Sequence, residues 1–245
     1  AHWLTELTGM PAVALSPKAG AHGEFCGLLA IKAALKARGE DKIRTRMLVP
    51  ASAHGTNPAT AAACGFSVDE VPGTPDGRVD IAALKAKLGP DVAGVMVTNP
   101  NTCGLFERDV KEIADLIHGA GGYFYCDGAN YNAIVGRVRP GDLGVDAMHI
   151  NLHKTFSTPH GGGGPGAGPT VLSDALAPFA PLPLIVADMT AKSGVSVYDL
   201  AEHAEDVEGD GRAPFGRMCA FHGQMGMFVR ALTYMFSHGS DGLRQ

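Results

Sequence analysis

The sequence has few charged residues, no strongly basic stretch and no long apolar run. Charged residues make up 18% of the 245 positions, against roughly 25% in an average protein. The net charge is −5 and no basic stripe is present, which argues against a nucleic-acid partner. No apolar run is long enough to span a membrane, and no signal-peptide pattern is visible. We therefore expect no membrane partner, and a cytoplasmic location (the mitochondrial matrix in a eukaryote).

Cysteine pairs and the common nucleotide-binding motifs are also absent. The five cysteines are odd in number, widely spread and never form CxxC, which indicates reduced thiols rather than a disulfide framework. The pattern GxxxxGK[ST] is missing, so the glycine-rich stretch 161–166 is no Walker loop. No GxGxxG stands in a βαβ setting, and we expect no nicotinamide site.

What is present is an alternation of buried strands and amphipathic helices. Apolar runs predict strands at 12–15, 47–49, 68–71, 92–97, 123–126 and 148–152. Helical spacing and capping residues predict helices at 3–9, 24–39, 58–63, 80–88, 107–119 and 224–237, with Asn57 as the cap before Pro58. This alternation is typical of a mostly parallel α/β sheet flanked by helices.

Small or polar residues follow the predicted strands again and again. In open α/β sheets, ligands bind beyond the carboxyl ends of the strands. The clusters therefore predict one composite site at that edge, built from Gly20–His22, His54, Thr98–Asn101, Asp127–Asn130 and His153–Lys154.

Lys154 and Asp127 are the strongest candidates for chemistry. Lys154 stands between an apolar stretch and the glycines 161–166, where an amine could form a Schiff base with an aldehyde cofactor. The alternative is an ordinary lysine at a helix end. Asp127 ends an apolar strand, and its carboxylate could keep a pyridine nitrogen protonated. Its alternative role is a helix N-cap before Ala129.

Three further features suit a phosphorylated ring cofactor. The small residues of Gly20–Gly23 precede a helix, whose N-terminus favours an anion, although many strand-to-helix turns look alike. His54 could stack on a planar ring or be an ordinary structural histidine. His153 is placed to contact a phosphate or the substrate. A zinc site from Asp146, His149, His153 and His160 matches no usual ligand spacing, and we expect no metal.

The pattern changes after about residue 185. We expect a large domain over 1–185 and, over 186–245, a linker and the start of a smaller C-terminal domain. Asp199–Gly211 is acidic and expected to be exposed. The chain begins at Ala1 inside a predicted helix without an initiator methionine, so we expect a fragment of a longer protein, truncated at both ends.

Four motifs, of which the one around Lys154 is long and highly specific, resemble the glycine cleavage system P-protein family, glycine dehydrogenase (decarboxylating). They are Ala19–Glu24 (AGAHGE), Ser52–Ala59 (SAHGTNPA), Asp127–Asn130 (DGAN) and Asn151–Gly166 (NLHKTFSTPHGGGGPG). The resemblance covers nearly the whole chain, corresponds to the PLP-binding C-terminal half or subunit 2 of that enzyme, and departs most at Asp188–Arg217. It implies a fold-type I pyridoxal phosphate (PLP) transferase, similar to aspartate aminotransferase.

The resemblance also assigns roles to the candidate residues. It implies that Lys154 is the Schiff-base lysine, Asp127 the partner of the pyridine nitrogen and His54 the stacking residue. Ala21 and His22 match the phosphate-binding turn. Thr98, Asn130 and His153 are further expected site residues, with His54 and His153 counted as catalytic beside Lys154.

The implied reaction is the decarboxylation of glycine, with transfer of the aminomethyl group to the lipoyl disulfide of the H-protein. The implied assembly is a homodimer, or a heterotetramer with a subunit equivalent to the N-terminal half. Two alternatives stay open: another fold-type I PLP decarboxylase or lyase, and an inactive cofactor-binding fragment or subunit. The glycines 161–166 are expected to form a flap, or a close packing contact, over the cofactor.

Overall fold

A seven-stranded sheet forms the centre of the molecule. The computed structural model describes residues 1–160, 165–188 and 197–245. The strands of the sheet are β1 (Ala12–Ala14), β2 (Arg46–Pro50), β3 (Ser67–Val71), β4 (Val92–Thr98), β5 (Tyr123–Gly128), β6 (Ala147–Ile150) and β7 (Thr170–Leu172). Their order is β1-β7-β6-β5-β4-β2-β3, and the five strands from β3 to β6 pair in parallel. This confirms the predicted, mostly parallel α/β architecture.

The helices are those that the apolar spacing predicts, with one short addition. They are α1 (His2–Thr8), α2 (Gly20–Ala37), α3 (Thr56–Ala63), α4 (Ile81–Lys87), α5 (Val110–Gly119), α6 (Leu152–Thr155) and α7 (Met225–Leu243). A separate two-stranded sheet pairs β8 (Leu184–Asp188) with β9 (Val197–Ala201). Within the described ranges, no helix has the length and hydropathy that a membrane span requires.

The sheet separates two apolar cores. Side chains of a strand alternate between its faces, and β5 shows this directly: Tyr123 and Tyr125 belong to one core, whereas Phe124 and Cys126 belong to the other. Helix α2 covers the first face with Leu28, Ile31 and other buried residues. Helices α5 and α7 cover the second. Because both faces are covered, the central strands can be apolar along their whole length.

Several element boundaries differ from the sequence prediction. The residues Gly20–Gly23, predicted as a turn, form the first turn of α2. Helix α3 begins at Thr56 after Gly55, so Asn57 lies inside the helix and is not its N-cap. Leu152, predicted as strand, begins the short helix α6. The antiparallel pairing of β7 with both β6 and β1 has no signal in the local sequence.

Helix α7, near the C-terminus, packs into the apolar core on the second face of the sheet. Met227, Ala231 and Met235 of α7 are buried in the core that also contains Leu4 of α1. Leu182 pairs with Arg217 through a single β-bridge. The domain boundary expected at residue 185 stays a prediction, and part of the divergent stretch Asp188–Arg217 lies outside the described residues.

Asp146 ties three elements together at the end of the sheet away from the polar clusters. Its Oδ2 accepts hydrogen bonds from the backbone N–H of Phe124 at 2.8 Å and from Nε2 of His118 at 2.7 Å. The hydroxyl of Ser173 donates to Oδ1 at 3.1 Å. The hydrogen bond to Asp146 raises the pKa of His118 above its ordinary value, and burial opposes the shift.

The raised pKa of His118 predicts a pH-dependent contribution to stability. A group whose pKa is raised on folding stabilises the fold fully below its unfolded-state pKa, which is about 6.5 for histidine. That contribution is lost as the pH rises through the folded-state pKa. The urea midpoint of wild type should be higher than that of His118→Gln. We expect this difference to be larger below about pH 6 than above about pH 8. His238→Gln, at an exposed position of α7, is the control. A difference between wild type and His118→Gln that does not change with pH would contradict the prediction.

Candidate active site

Asp127 lies at the carboxyl end of β5 and is 1% exposed. Its Oδ1 accepts a hydrogen bond from the backbone N–H of Ala129 at 2.9 Å, a local turn contact. The alternative role as a helix N-cap is wrong, because the short 3-10 helix that follows has Asn130 as its cap. Its Oδ2 accepts from Nδ2 of Asn57 at 2.8 Å, and Nε2 of His149 lies 3.4 Å from Oδ1. Donors thus hold the carboxylate in place on both oxygens, while each oxygen keeps acceptor capacity for a ligand.

A second carboxylate, Glu24, lies beside Asp127 and has no role in the sequence prediction. Glu24 faces inward from α2 and is 2% exposed. Asn57 Nδ2 donates to Glu24 Oε2 at 3.0 Å as well as to Asp127, and so joins the two carboxylates. Thr60 donates to Oε2 at 3.0 Å. The available signal was a Glu in the first turns of a helix whose other inward residues are small or apolar.

His54 follows β2 and lies next to both carboxylates. One ring nitrogen of His54 and one oxygen each of Glu24 and Asp127 all lie within 4.8 Å of one another. The backbone N–H of His54 donates to Thr98 Oγ1 at 2.8 Å, which fixes the loop against the end of β4. The side chain is exposed, so a planar ligand has access to the imidazole face.

Glu24, His54 and Asp127 carry atoms of the kind that bind metal ions. Their hydrogen bonds nevertheless favour a role in holding each other in place rather than a metal site. Asn57 already donates to both carboxylates, so the two acids face an amide N–H rather than open space. The zinc candidates of the sequence are not gathered into one cluster in the described ranges. Asp146 lies before β6 and binds His118, whereas His149 lies at the other end of the strand, next to Ile150.

Lys154 lies just after β6, the strand that pairs with β5. Asp127 pairs with His149 and Gly128 with Ile150, so the ends of β5 and β6 lie side by side. Four residues after Ile150, Lys154 stands on α6 with an exposed side chain. No hydrogen bond or ion pair holds its amine within the described part of the chain. The lysine does lie at a helix end, as the alternative expected, and that helix follows the strand paired with β5.

A chain of polar side chains runs from β5 to His153. Tyr125 Oη lies 2.5 Å from His149 Nδ1, His149 Nε2 lies 2.9 Å from Asn151 Oδ1, and Asn151 Nδ2 lies 3.2 Å from His153 Nε2. Burial, followed by the nearby charges of His160 and Lys154, lowers the pKa of His153 below its ordinary value. The sequence prediction missed Tyr125 and gave His149 only a doubtful metal role, because their contact depends on strand pairing.

The first turn of α2 closes the site on another side. Helix geometry leaves the N–H groups of Gly20, Ala21 and His22 without helical partners, and Ala19 supplies no side-chain cap. Ala21 is exposed, while His22 is half-buried and its Nδ1 accepts from the backbone N–H of Lys18 at 3.1 Å. Burial, together with Lys18, lowers the pKa of His22. The backbone amides are therefore free for an anion, and the His22 ring is partly engaged.

Glycines let this helix start and the loop after Lys154 approach the end of β6. A Cβ on Gly23 would lie 2.6 Å from the Cβ of His149, and one on Gly168 would lie 2.1 Å from the oxygen of Ala19. A Cβ on Gly166 would lie 3.2 Å from the Lys18 oxygen. Close backbone packing therefore explains the described glycines of this loop. The predicted flap at Gly161–Gly164 lies outside the described residues.

Thr98 and Asn130, the remaining predicted residues, are used differently. Thr98 is 2% exposed, and its hydroxyl donates to Asn57 Oδ1 at 3.1 Å, so it supports the network from behind. Asn130 is half-buried, and its Nδ2 donates to the Pro100 oxygen at 2.9 Å, which braces the loop after β4.

Comparison with known proteins gives one family and a consistent set of relatives. The aminotransferase class-V family matches residues 27–179. The chain is 71% identical over 245 residues to the probable glycine dehydrogenase (decarboxylating) subunit 2 of Caulobacter vibrioides, covering 100% of this chain and 45% of that protein. It is 54% identical over 243 residues to the same-named protein of Methylococcus capsulatus, covering 99% and 47%. The chain thus spans about half the length of these curated relatives.

Solved structures agree on the fold. A glycine decarboxylase (P-protein) of the glycine cleavage system, in inhibitor-bound form, superposes with a TM-score of 0.76 at 24% identity, covering 99% of this chain and 52% of that one. Oryza sativa TDC with PLP and tryptamine superposes with a TM-score of 0.66 at 14% identity, covering 99% and 50%. These findings confirm the resemblance found in the motifs and the fold-type I architecture.

Packing of α2 on the end of β6 predicts the effect of adding one methyl group. Gly23→Ala would place its Cβ 2.6 Å from that of His149 and 2.7 Å from the oxygen of Gly168. We expect the free energy of unfolding to fall by about 1–3 kcal/mol, since His149 is part of β6 and the backbone of Gly168 is packed against Ala19. Urea denaturation measures this.

Gly119→Ala is the matched control. Nothing lies within 4 Å of its added Cβ, and Gly119 ends the helix α5. We expect its stability to stay within about 1 kcal/mol of wild type or to rise slightly. Equal stability of the two variants would refute the packing argument.

Proposed function

The chain belongs to the aminotransferase class-V family, and we propose that it is the PLP-binding, lysine-bearing part of a glycine decarboxylase. The observation that carries the proposal is the placement of two groups at the ends of paired strands. The buried Asp127 lies at the carboxyl end of β5, and Lys154, with an exposed side chain, follows the paired end of β6.

The donor set of this chain fits PLP. Asp127 can accept the N–H of a protonated pyridine ring, because both oxygens keep free lone pairs. The uncapped first turn of α2 suits a phosphate, since its amides and the helix dipole both favour an anion. Near Lys154, the buried hydroxyls of Thr155 and Thr158 have no hydrogen-bond partner among the described residues. Such groups are costly when unpaired, and a polar ligand would satisfy them.

Each residue then has a task that its position supports. When bound, PLP supplies an aldehyde for the amine and a protonated ring that accepts the electrons released when a carboxylate leaves as CO2. Lys154 would be the residue whose amine binds the aldehyde carbon. Asp127 would hold the proton on the ring nitrogen, and His54 would lie against one face of the ring. Ala21 and His22 offer backbone amides to the phosphate. His153, kept neutral by its lowered pKa, can accept a proton near Lys154.

Glycine is the proposed substrate because the relatives of highest identity described above carry the name glycine dehydrogenase (decarboxylating). Their designation as subunit 2 also supports a partner subunit. We propose that the aminomethyl group passes to a lipoylated H-protein, and that the assembly is either a homodimer or a heterotetramer with a second type of subunit.

A second candidate is a different PLP decarboxylase or lyase on the same fold, which the likeness to Oryza sativa TDC favours. Exchange of labelled CO2 with the carboxyl group of glycine, dependent on lipoylated H-protein, separates the two. The exchange is expected from a complete assembly that contains this chain. Decarboxylation of an aromatic amino acid without such exchange would support the second candidate instead.

Replacing Lys154 tests the covalent attachment of the cofactor. Wild type with added PLP should develop a visible absorbance band of the lysine-bound cofactor that borohydride reduction makes permanent. Lys154→Ala should lose that band, because the aldehyde then has no amine in reach. Lys42→Ala, at a side chain that is 92% exposed, is the control and should keep the band. A band that survives in Lys154→Ala would disprove the assignment.

Replacing Asp127 tests the electrostatic role of its carboxylate. Asp127→Asn keeps the shape of the side chain but removes the charge that stabilises a protonated ring nitrogen. We expect cofactor binding to persist and glycine decarboxylation by the assembly to fall by about 10²–10³-fold. Asp142→Asn, at an exposed carboxylate, should leave the rate unchanged. A loss of less than about threefold in Asp127→Asn would contradict the proposed role.

A further inference from the structure

Glu24 is a buried carboxylate that the proposed function leaves without a task. Three donors surround it: the hydroxyl of Thr56 at 2.5 Å from Oε1, and Asn57 Nδ2 and the hydroxyl of Thr60 at 3.0 Å from Oε2. A carboxylate buried to this degree is costly unless its oxygens are satisfied. Here they are satisfied by groups that themselves contact His54 and Asp127.

The contact through Thr56 determines which nitrogen of His54 carries the proton. Thr56 Oγ1 lies 2.5 Å from Glu24 and 2.7 Å from His54 Nδ1. A hydroxyl has a single proton, and an ionised carboxylate can only accept. The proton of Thr56 therefore lies toward Glu24, and the hydroxyl oxygen must accept from His54. Nδ1 is then protonated, and in the neutral ring Nε2 is the free acceptor.

One competing contact has to be weighed. The backbone N–H of Thr56 lies 3.2 Å from the same Nδ1, and it would need an unprotonated nitrogen. The hydroxyl contact is 0.5 Å shorter, from 3.2 Å less 2.7 Å. Thr56 is also the first residue of α3, where an N–H has no helical partner and can bind water instead. The protonated Nδ1 is thus the arrangement that satisfies the shorter contacts.

The contact through Asn57 fixes the orientation of Asp127. His54 N–H donates to Thr98 Oγ1, so the Thr98 hydroxyl donates onward to Asn57 Oδ1. This assigns the oxygen of the amide, and its nitrogen must face the two carboxylates. Its two hydrogens go to Glu24 and Asp127. Glu24 consequently prevents the amide from turning away from Asp127.

We propose that Glu24 is a positioning residue of the cofactor site, which sets the His54 tautomer through Thr56 and the Asp127 orientation through Asn57. The inference rests on the proposed function for its purpose. With Nδ1 protonated, the exposed ring presents Nε2 as an acceptor for an N–H or O–H of a bound substrate. A stacking histidine in the other tautomer would present a donor there.

The tautomer can be measured without cofactor or substrate. The full chain is labelled with ¹⁵N at its ten histidines, and spectra are recorded at about pH 8.5, above the ordinary histidine pKa of about 6.5. His54→Asn identifies the resonances. In wild type we expect Nδ1 of His54 at a shift typical of protonated nitrogen and Nε2 at one typical of unprotonated nitrogen.

Glu24→Gln should reverse the tautomer. The glutamine oxygen can still accept from Asn57 and Thr60, while its NH₂ turns to Thr56 and donates. The Thr56 hydroxyl is then released to donate to His54 Nδ1, so the proton moves to Nε2 and the two ¹⁵N shifts exchange. Thr56→Val removes the relay and should also abolish the protonated-Nδ1 signature. Persistence of that signature in both variants, or its absence from wild type, would overturn the proposal.

Glu107→Gln is the matched control. Glu107 is another carboxylate with 1% exposure, and its oxygens accept from the backbone N–H groups of Val79 and Asp109. It should leave the His54 shifts unchanged even if it lowers stability, and a tautomer change in this variant would count against a specific role for Glu24. These spectra are recorded without PLP, so they test the tautomer alone. The cofactor proposal is tested separately, by the loss of the visible band in Lys154→Ala.

Discussion

The side-chain amide of Asn57 connects the parts of this site. It lies fully buried between the carboxylates of Glu24 and Asp127, with Thr98 holding its oxygen. Two carboxylates at such short range would repel each other in an apolar interior without a shared donor. With the donor in place, α2, α3 and the ends of β4 and β5 are joined at one point, and the carboxylate of Asp127 has a defined direction.

The sheet provides the frame for that contact. Parallel pairing of β4, β5 and β6 brings the segments after each strand to the same edge, although they are far apart in the chain. Glycines at the start of α2 and after Lys154 let two backbones approach that edge closely, where any side chain would collide. The result is a sheet edge that carries an amine, a carboxylate, an imidazole and free backbone amides. That set of groups suits an anionic aldehyde cofactor with a basic ring nitrogen.

A division of labour between exposed and buried residues follows from this arrangement. His54 and Lys154 are exposed and can touch a ligand, whereas Glu24, Asn57 and Thr98 are buried and act on them or on Asp127. These three buried residues fix the side-chain rotamers and proton positions of the site, which contact with water would otherwise leave variable. Proteins commonly preorganise a site in this way, because orientation fixed during folding does not have to be established at each turnover.

The sequence by itself determined the helices, the strands from β1 to β6 and the α/β class, and it proposed the residues that could touch a ligand. Apolar periodicity and strand-end position are local signals. Asp127 lies at the end of β5, and His54 and Lys154 each follow a buried strand by four residues. The long motifs around these residues also determined the family. Element ends were less certain, and Asn57 was misread as a helix cap, because an Asn before Pro has the same local pattern in either role.

Only the tertiary structure decided how those residues are supported. Glu24 is 103 residues from Asp127 in the chain, and no spacing rule relates a carboxylate in α2 to one after β5. Their contact through Asn57 exists because α2 packs on the sheet face and α3 beside it. The antiparallel pairing of β7, and the approach of its preceding loop to the start of α2, are equally non-local. Such contacts depend on the order of strands in the sheet, which local residue patterns do not encode.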